Sequence, residues 1–154
     1  MTRRIRAWTF GTLAVLWVLS AHAASTLPDW KNFAALETIQ VVTLDDNDDK
    51  GEQPIRRETT IWLAVHEGQG YIRTGATTWG ANLKRDPNLI VIMNGVDYEL
   101  SVTPIPEGEL YDAVTQTFRD KYGFMDAAIG LFRGIGGTPT IMRLDGRPGI
   151  PMGN

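Results

Sequence analysis

The clearest chemical potential in the chain lies in arginine, hydroxyl and aromatic side chains between residues 57 and 82. Arginines, hydroxyls and the backbone N–H groups at a helix start are what a phosphate group requires. Tryptophan rings offer flat apolar surface to a planar ring system. The candidate binding residues with these properties are Arg57, Thr59, Trp62, Arg73, Thr74, Gly75, Thr77, Trp79 and Asn82. Their pattern is typical of a small-molecule site for a ring that carries a phosphate.

The same residues also have a purely structural interpretation. Trp62 could belong to the core, and the arginines could pair with Glu58 or with the acidic segment from Asp45 to Pro54. Both interpretations stay open at the level of the residues.

Several other classes of chemistry are excluded by composition. The chain has no cysteine and two histidines, so thiolate metal sites and cysteine nucleophiles are ruled out and no metal cofactor is expected. No serine hydrolase motif is present, and His66 and Tyr71 are the conceivable proton donors, so no catalytic residue is assigned. The formal charge of −3 argues against nucleic-acid binding, which needs a surplus of Lys and Arg.

Residues 1–23 have the pattern of a signal peptide. Three arginines precede an apolar run, Ala7–Leu19, and Ala21 and Ala23 supply the small residues that a signal peptidase reads. The apolar run is shorter than the roughly 20 residues of a membrane-spanning helix. Cleavage would leave a protein that starts at Ala24, is exported to the periplasm or secreted, and has no stable membrane insertion.

Two alternatives concern the route and fate of this segment. Without cleavage, it would remain as an N-terminal anchor. The sequence Thr2-Arg3-Arg4 partly resembles a twin-arginine signal, although Arg6 stands where such signals prefer a large apolar residue. Either export route gives the same mature chain.

Alternation of apolar and polar residues, with glycine turns between runs, predicts six strands. They are Ile39–Leu44, Arg56–His66, Tyr71–Thr74, Leu89–Met93, Val96–Pro104 and Thr138–Leu144. Helical spacing predicts helices at Leu27–Glu37, Trp79–Arg85 and Pro106–Tyr122, and less clearly at Met125–Phe132. Because most strands are joined by hairpins, the expected fold is mainly β, a six-stranded antiparallel barrel with two or three peripheral helices.

The domain organisation follows from these elements. We expect a signal peptide at 1–23, an N-terminal helical segment at 24–38, one barrel domain at 39–145 and a flexible tail at 146–154. A chain of 154 residues has room for one such domain.

The order of these elements is similar to that of a known superfamily. Strand, glycine turn and strand are followed by W-x-x-N-L-x-x-x-P, at Trp79, Asn82, Leu83 and Pro87, and then by a hairpin with an Asn-Gly turn. This order resembles the FMN-binding split β-barrel superfamily, including its pyridoxamine phosphate oxidase-like and deazaflavin-dependent nitroreductase-like branches and a small family of unassigned function. The resemblance covers Ile39 to Tyr122 and reaches more weakly to Leu144.

The resemblance implies a split barrel that forms a homodimer, with FMN or a deazaflavin at the dimer interface. The superfamily's cofactor-binding places correspond to the nine candidate residues given above. One departure is the loop Gly75–Thr78, which has no positive charge where the superfamily commonly has a basic phosphate loop.

Two kinds of function follow from this resemblance. The leading one is an exported flavin- or deazaflavin-binding protein of oxidoreductase type, in which the cofactor transfers a hydride or electrons. The uncharged loop favours the alternative, a cofactor-free small-molecule-binding or structural dimer with the same barrel.

Overall fold

The computed structural model describes residues 27–45, 54–123 and 138–148. Four parts lie outside these residues: the expected signal peptide, most of the acidic segment, the expected helix at Met125–Phe132 and the end of the expected tail. Within the described part of the chain, no helix combines the length and hydropathy needed to cross a membrane.

Six strands form one closed antiparallel barrel, which confirms the expected fold class. They are β1 (Thr38–Asp45), β2 (Ile55–His66), β3 (Gln69–Thr74), β4 (Asn88–Met93), β5 (Val96–Pro104) and β6 (Thr140–Gly146). Around the barrel their order is β1-β2-β3-β6-β5-β4, so β1 and β4 meet to close it. In a closed barrel of this size, side chains fill the interior and form a packed core.

Each of the two tight hairpins turns at a pair of residues whose second member is glycine. Glu67 and Gly68 have φ of 50° and 76°, and Asn94 and Gly95 have φ of 51° and 78°. Two successive residues with positive φ define the turn whose twist matches antiparallel strands. The β2–β3 and β4–β5 registers are therefore set by these turns.

Within the described residues, two α-helices and one 3₁₀ turn accompany the strands. Helix α1 (Thr78–Arg85) lies between β3 and β4, and α2 (Glu109–Tyr122) lies between β5 and β6. The helix expected at Leu27–Glu37 is instead a single 3₁₀ turn, Trp30–Phe33, which Asp29 caps. Its backbone bonds join residues three apart, such as the Asn32 N–H and the Asp29 carbonyl at 3.0 Å. Helix α2 begins after Gly108, later than the start expected near Pro106.

The core has an inner and an outer part. The inner part fills the barrel, and its largest fully buried side chains are Leu63, Ile72, Leu89, Met93, Leu100, Met142, Leu144, Val41 and Val91. The outer part lies between α2 and the sheet and consists of Ala64, Tyr71, Val114, Phe118 and Ile141. On α2, Val114 and Phe118 are buried, whereas Leu110, one turn before Val114, is 40% exposed.

The barrel is split beside β2. Strands β2 and β3 pair from His66↔Gln69 to Leu63↔Ile72. Beyond that pair, β3 stays paired with β6 and separates from β2. Within the described residues, the first eight residues of β2, Ile55–Trp62, pair with β1 only. A gap therefore opens between the two strands, and the candidate site lies at this gap.

Candidate functional site

An open cleft of about 250 Å³ lies at the gap between β2 and β3. Strand β2 forms one side of the cleft. The end of β3, the first turn of α1 and one buried ring of α2 form the rest of its lining. The lining residues are Thr59, Thr60, Ile61, Trp62, Arg73, Trp79 and Phe118. The structure thus brings together four of the nine candidate residues, namely Thr59, Trp62, Arg73 and Trp79.

One wall of the cleft is built from stacked side chains. The Arg73 guanidinium carbon lies 4.8 Å from the centre of the Phe118 ring. Phe118 stacks on Tyr122 at a centroid distance of 6.0 Å, and Tyr122 stacks on Trp62 at 4.3 Å with the planes only 6° apart. Because Phe118 and Tyr122 are one helical turn apart on α2, the helix holds this aromatic ladder (Arg73, Phe118, Tyr122, Trp62) in register.

The end of α2 is tied to the barrel by two neighbouring side chains. The Tyr122 hydroxyl lies 2.7 Å from the Leu63 carbonyl and 2.5 Å from the Glu37 carbonyl, and it accepts a bond from the Leu63 N–H at 3.1 Å. The Lys121 ammonium donates to the carbonyls of Ala34, Leu36 and Leu63. This pair, the Lys121–Tyr122 clasp, fixes the aromatic ladder from behind.

Burial changes the acidity of both groups in the clasp. It raises the pKa of Tyr122 to about 12. It lowers the pKa of Lys121, while the nearby Glu37 carboxylate acts in the opposite direction. Sequence reasoning missed the clasp, because a lysine and a tyrosine in the last turn of a helix are typical of an ordinary helix end.

Arg57 does not line the cleft. Its guanidinium binds Asp45, with Nη2 2.8 Å and Nε 3.2 Å from the same carboxylate oxygen. Arg56 likewise pairs with Glu58 at 3.2 Å. These pairs agree with the structural alternative for the arginines of β2.

The threonines around the uncharged loop cap α1. The Thr77 hydroxyl accepts a hydrogen bond from the Gly80 N–H at 3.2 Å and lies 2.8 Å from the Thr74 hydroxyl. Such a bond satisfies one of the N–H groups left open at a helix start. Gly75 begins this loop, outside the cleft lining. The hydroxyls expected to face a ligand are therefore engaged in holding the loop.

Asn82 is buried on the inner side of α1. Its amide donates to the Thr43 hydroxyl at 3.2 Å and accepts from Arg85 at 2.8 Å. The residue is 3% exposed, so it joins α1 to β1 and does not reach the cleft.

Neither conceivable proton donor is among the residues that line the cleft. The His66 ring nitrogen Nδ1 lies 3.1 Å from the Thr117 hydroxyl, on the outer face under α2. Tyr71 is 4% exposed in the same outer core, and burial raises the pKa of its phenol. Among the described residues, no group of three or more His, Asp and Glu side chains is arranged to hold a metal ion.

The closed six-stranded barrel with a cleft at its split gives the chain a split β-barrel fold, which is the fold that the sequence resemblance predicted. Comparison with protein-family models and with curated protein sequences gives no match.

Solved structures with this fold match over most of the chain. The haem storage protein HutZ from Vibrio cholerae is 13% identical, covering 77% of this chain and 88% of its own, with a TM-score of 0.58. An FAD-binding protein from Mesorhizobium loti is 10% identical over 75% and 82% of the two chains (TM-score 0.51). An F420-H2-dependent reductase is 14% identical over 70% and 94% (TM-score 0.50). What these proteins share with the chain is the fold.

Proposed function

We propose that the protein binds a flavin or deazaflavin ring in the cleft and works as an oxidoreductase outside the cytoplasm. The observation that carries this proposal is the cleft itself, which is lined at the split by Arg73, by two threonines and by the aromatic residues Trp62, Trp79 and Phe118. An FAD-binding protein and an F420-H2-dependent reductase among the structures with this fold support it.

The residues of the cleft suit a planar, polar ring. Trp62 and Trp79 line the cleft and offer apolar surface to its faces, whereas Phe118 is fully buried and supports the Arg73 guanidinium from behind. Thr59 and Thr60 also line the cleft. When bound, such a ring would supply the hydride or electron transfer, and the protein would bind it, orient it and limit its contact with water.

We further propose that the protein is a homodimer. The cleft volume of about 250 Å³ is below the roughly 300–1,000 Å³ typical of small-molecule sites, and one side is open. A second copy over this opening would complete the site, as the resemblance implies. Sedimentation equilibrium at micromolar concentration should give twice the mass of the processed chain. A monomer would contradict the dimer and an interface site.

Titration with FMN and with an 8-hydroxy-5-deazaflavin, followed by ring absorbance or fluorescence, tests the binding proposal. We expect at least micromolar affinity for one of them. Arg73→Ala should weaken binding about ten- to hundredfold, because a charge-assisted contact is worth roughly 1.5–3 kcal/mol. Arg119→Ala removes the same charge from the exposed side of α2 and should leave affinity unchanged.

The alternative, a cofactor-free module, is favoured by the uncharged loop whose threonines cap α1. It predicts that neither ring binds and that Arg73→Ala changes only stability. Failure of the parent protein to bind either ring would therefore favour this alternative.

Export is tested separately. The protein recovered from the periplasm should begin at Ala24, as measured by intact mass. A product that still contains Trp8 and Trp17 would indicate an anchor instead.

A further inference from the structure

We propose that the protein has a second binding site, for a carboxylate that is attached to a short apolar stem. The site is a groove of about 280 Å³ where β1 and β4 run side by side. This Arg147 groove is lined by Val42, Thr43, Leu44, Arg56, Asp86, Asn88, Leu89, Ile90 and Arg147. Among the described residues, none lines both the groove and the cleft, so this inference is independent of the proposed function.

The middle of the Arg147 groove is apolar. Val42 on β1 pairs with Ile90 on β4, and both residues line the groove together with Leu89. Leu44, two residues further along β1, also lines it and is 51% exposed. Because covering apolar surface is favourable, these side chains suit an aliphatic stem. The groove volume is just below the roughly 300–1,000 Å³ typical of small-molecule sites, so the ligand must be small.

A guanidinium in this groove lacks good hydrogen-bond partners. Arg147 donates from Nη1 to the Glu99 carboxylate at 3.2 Å and from Nη2 to the Leu89 carbonyl at 3.4 Å, which are long distances for such bonds. Its Nε is buried and has no acceptor in the part of the chain that the structure describes. Since buried polar groups normally have partners, this guanidinium indicates an acceptor supplied from outside the chain.

A carboxylate supplies the acceptor that Arg147 lacks. Bonds from a guanidinium to an ionised oxygen are shorter and stronger than bonds to a neutral carbonyl, and they commonly form in parallel pairs. The Arg147 side chain is 29% exposed and lines the groove together with Leu89. In the proposed complex, the carboxylate replaces the long contact between Nη2 and the Leu89 carbonyl. A small rotation of the side chain brings Nε to the second carboxylate oxygen.

Two other charged side chains set the charge balance of the groove. Arg56 pairs with Glu58 at 3.2 Å, and because the two side chains are 51% and 52% exposed, that pair is weak. Asp86 follows α1, and its Oδ1 accepts from the N–H of Asn88 at 3.0 Å and from the side-chain amide of Asn88 at 2.8 Å. The lining therefore has two cations and one anion, and Asp86 should oppose the binding of a carboxylate.

Four probes separate the charge of the ligand from its stem: hexanoate, hexanamide, hexylammonium and acetate. Binding to the full chain is followed by NMR shifts of the backbone amides of Leu44, Leu89 and Ile90, which locate the ligand in the groove. We expect hexanoate to bind with about millimolar affinity or better, and at least about tenfold more tightly than hexanamide or acetate. Hexylammonium should bind more weakly than hexanoate.

Variants assign the preference for a carboxylate to Arg147. Arg147→Gln should reduce the preference for hexanoate over hexanamide to about threefold or less, whereas Arg119→Gln, which removes the same charge from the exposed side of α2, should retain it. Asp86→Asn keeps an acceptor oxygen for Asn88 and should strengthen hexanoate binding about two- to threefold. A ratio of two affinities in one protein sample is insensitive to a loss of folded material.

A second pair of variants tests the apolar stem. Leu44→Ser should reduce the preference for hexanoate over acetate by about threefold, because the stem loses an exposed aliphatic contact. Leu110→Ser makes the same change at a residue of α2 that is 40% exposed, and it should leave this preference unchanged.

Several outcomes would overturn this inference. Among them are shifts of the groove amides that hexanamide produces as readily as hexanoate, tighter binding of hexylammonium, and a preference for hexanoate that survives Arg147→Gln. Absence of hexanoate binding at these amides would overturn it as well. Flavin and deazaflavin binding in the cleft is measured separately, so none of these results decides the proposed function.

Discussion

Removal of one oxygen atom, by Tyr122→Phe, tests the Lys121–Tyr122 clasp most directly. The variant keeps the ring that stacks on Trp62 at 4.3 Å and loses only the hydroxyl. That hydroxyl donates to a backbone carbonyl, of Leu63 or Glu37, and accepts from the Leu63 N–H at 3.1 Å. The experiment therefore separates the hydrogen bonds of the clasp from the aromatic ladder.

The expected loss of stability follows from these bonds. Each intramolecular hydrogen bond contributes about 0.5–1.5 kcal/mol net, so the loss of two should cost about 1–3 kcal/mol. The Leu63 N–H keeps a long contact of 3.5 Å to the Glu37 carbonyl, which limits the penalty of an unpaired donor. In a chain of this size, Tm should fall by about 2–4 °C for each kcal/mol lost.

The pH dependence gives a second, independent measure. Burial raises the pKa of the Tyr122 phenol from its usual value of 10.0 to about 12. The folded state therefore holds this proton more tightly than the unfolded state does. The resulting stabilisation is present in full below pH 10 and is lost as the pH rises through about 12. The difference in unfolding free energy between the parent protein and Tyr122→Phe should thus shrink over that range.

Urea unfolding of the parent protein and Tyr122→Phe at about pH 8 and about pH 11 measures both effects. Other tyrosines with a raised pKa, Tyr71 and Tyr111, are present in both proteins and cancel in the difference. Tyr98→Phe removes a phenolic oxygen from a ring that packs edge-on against Phe33, and it serves as the control. A loss below about 0.5 kcal/mol, or one that is the same at both pH values, would refute this account of the clasp.

Two further substitutions test contacts that hold Trp30 and α1 against the barrel. An added Cβ at Gly70 would lie 2.5 Å from the buried Trp30 ring, so Gly70→Ala should lower the free energy of unfolding, measured in urea, by about 1–3 kcal/mol. The control Gly75→Ala should be close to neutral, because no described atom lies within 4 Å of the added Cβ. Equal losses in the two variants would contradict the close contact between Gly70 and Trp30. Asn82→Ala removes the buried hydrogen bond to Thr43, so the free energy of unfolding should fall by about 1–3 kcal/mol and Tm should fall with it. An unchanged Tm would show that this bond does not hold α1 to β1.

The barrel could be predicted because its local signals agree with one another. The six runs of alternating residues correspond to six strands, and Asn94-Gly95 forms the turn that its residue types require. The segment around Trp30 misled the prediction, since its apolar spacing suits a helix. Its buried Trp30 ring instead packs against Gly70 in β3, and a single 3₁₀ turn suffices to place that ring.

The candidate site could be predicted only in part. Spacing alone identified Trp62 and Arg73 as neighbours on one hairpin, and both line the cleft. It could not locate the point at which β2 and β3 separate, because that depends on the pairing of β3 with β6 far along the chain. Nor could it tell that Arg57 would bind Asp45, although the acidic segment made such a pair one of the alternatives.

The position of β6 in the barrel has a consequence for how the chain folds. This strand is the last of the six described strands in sequence, yet it lies between β3 and β5 and pairs Tyr71 with Arg143. Until it arrives, both neighbours expose an unpaired strand edge, which is a site for aggregation. Pairing between such distant residues is also slow. A chain made or translocated from its N-terminus can therefore close its barrel only at the end, and a chain truncated before Thr140 should aggregate instead of folding.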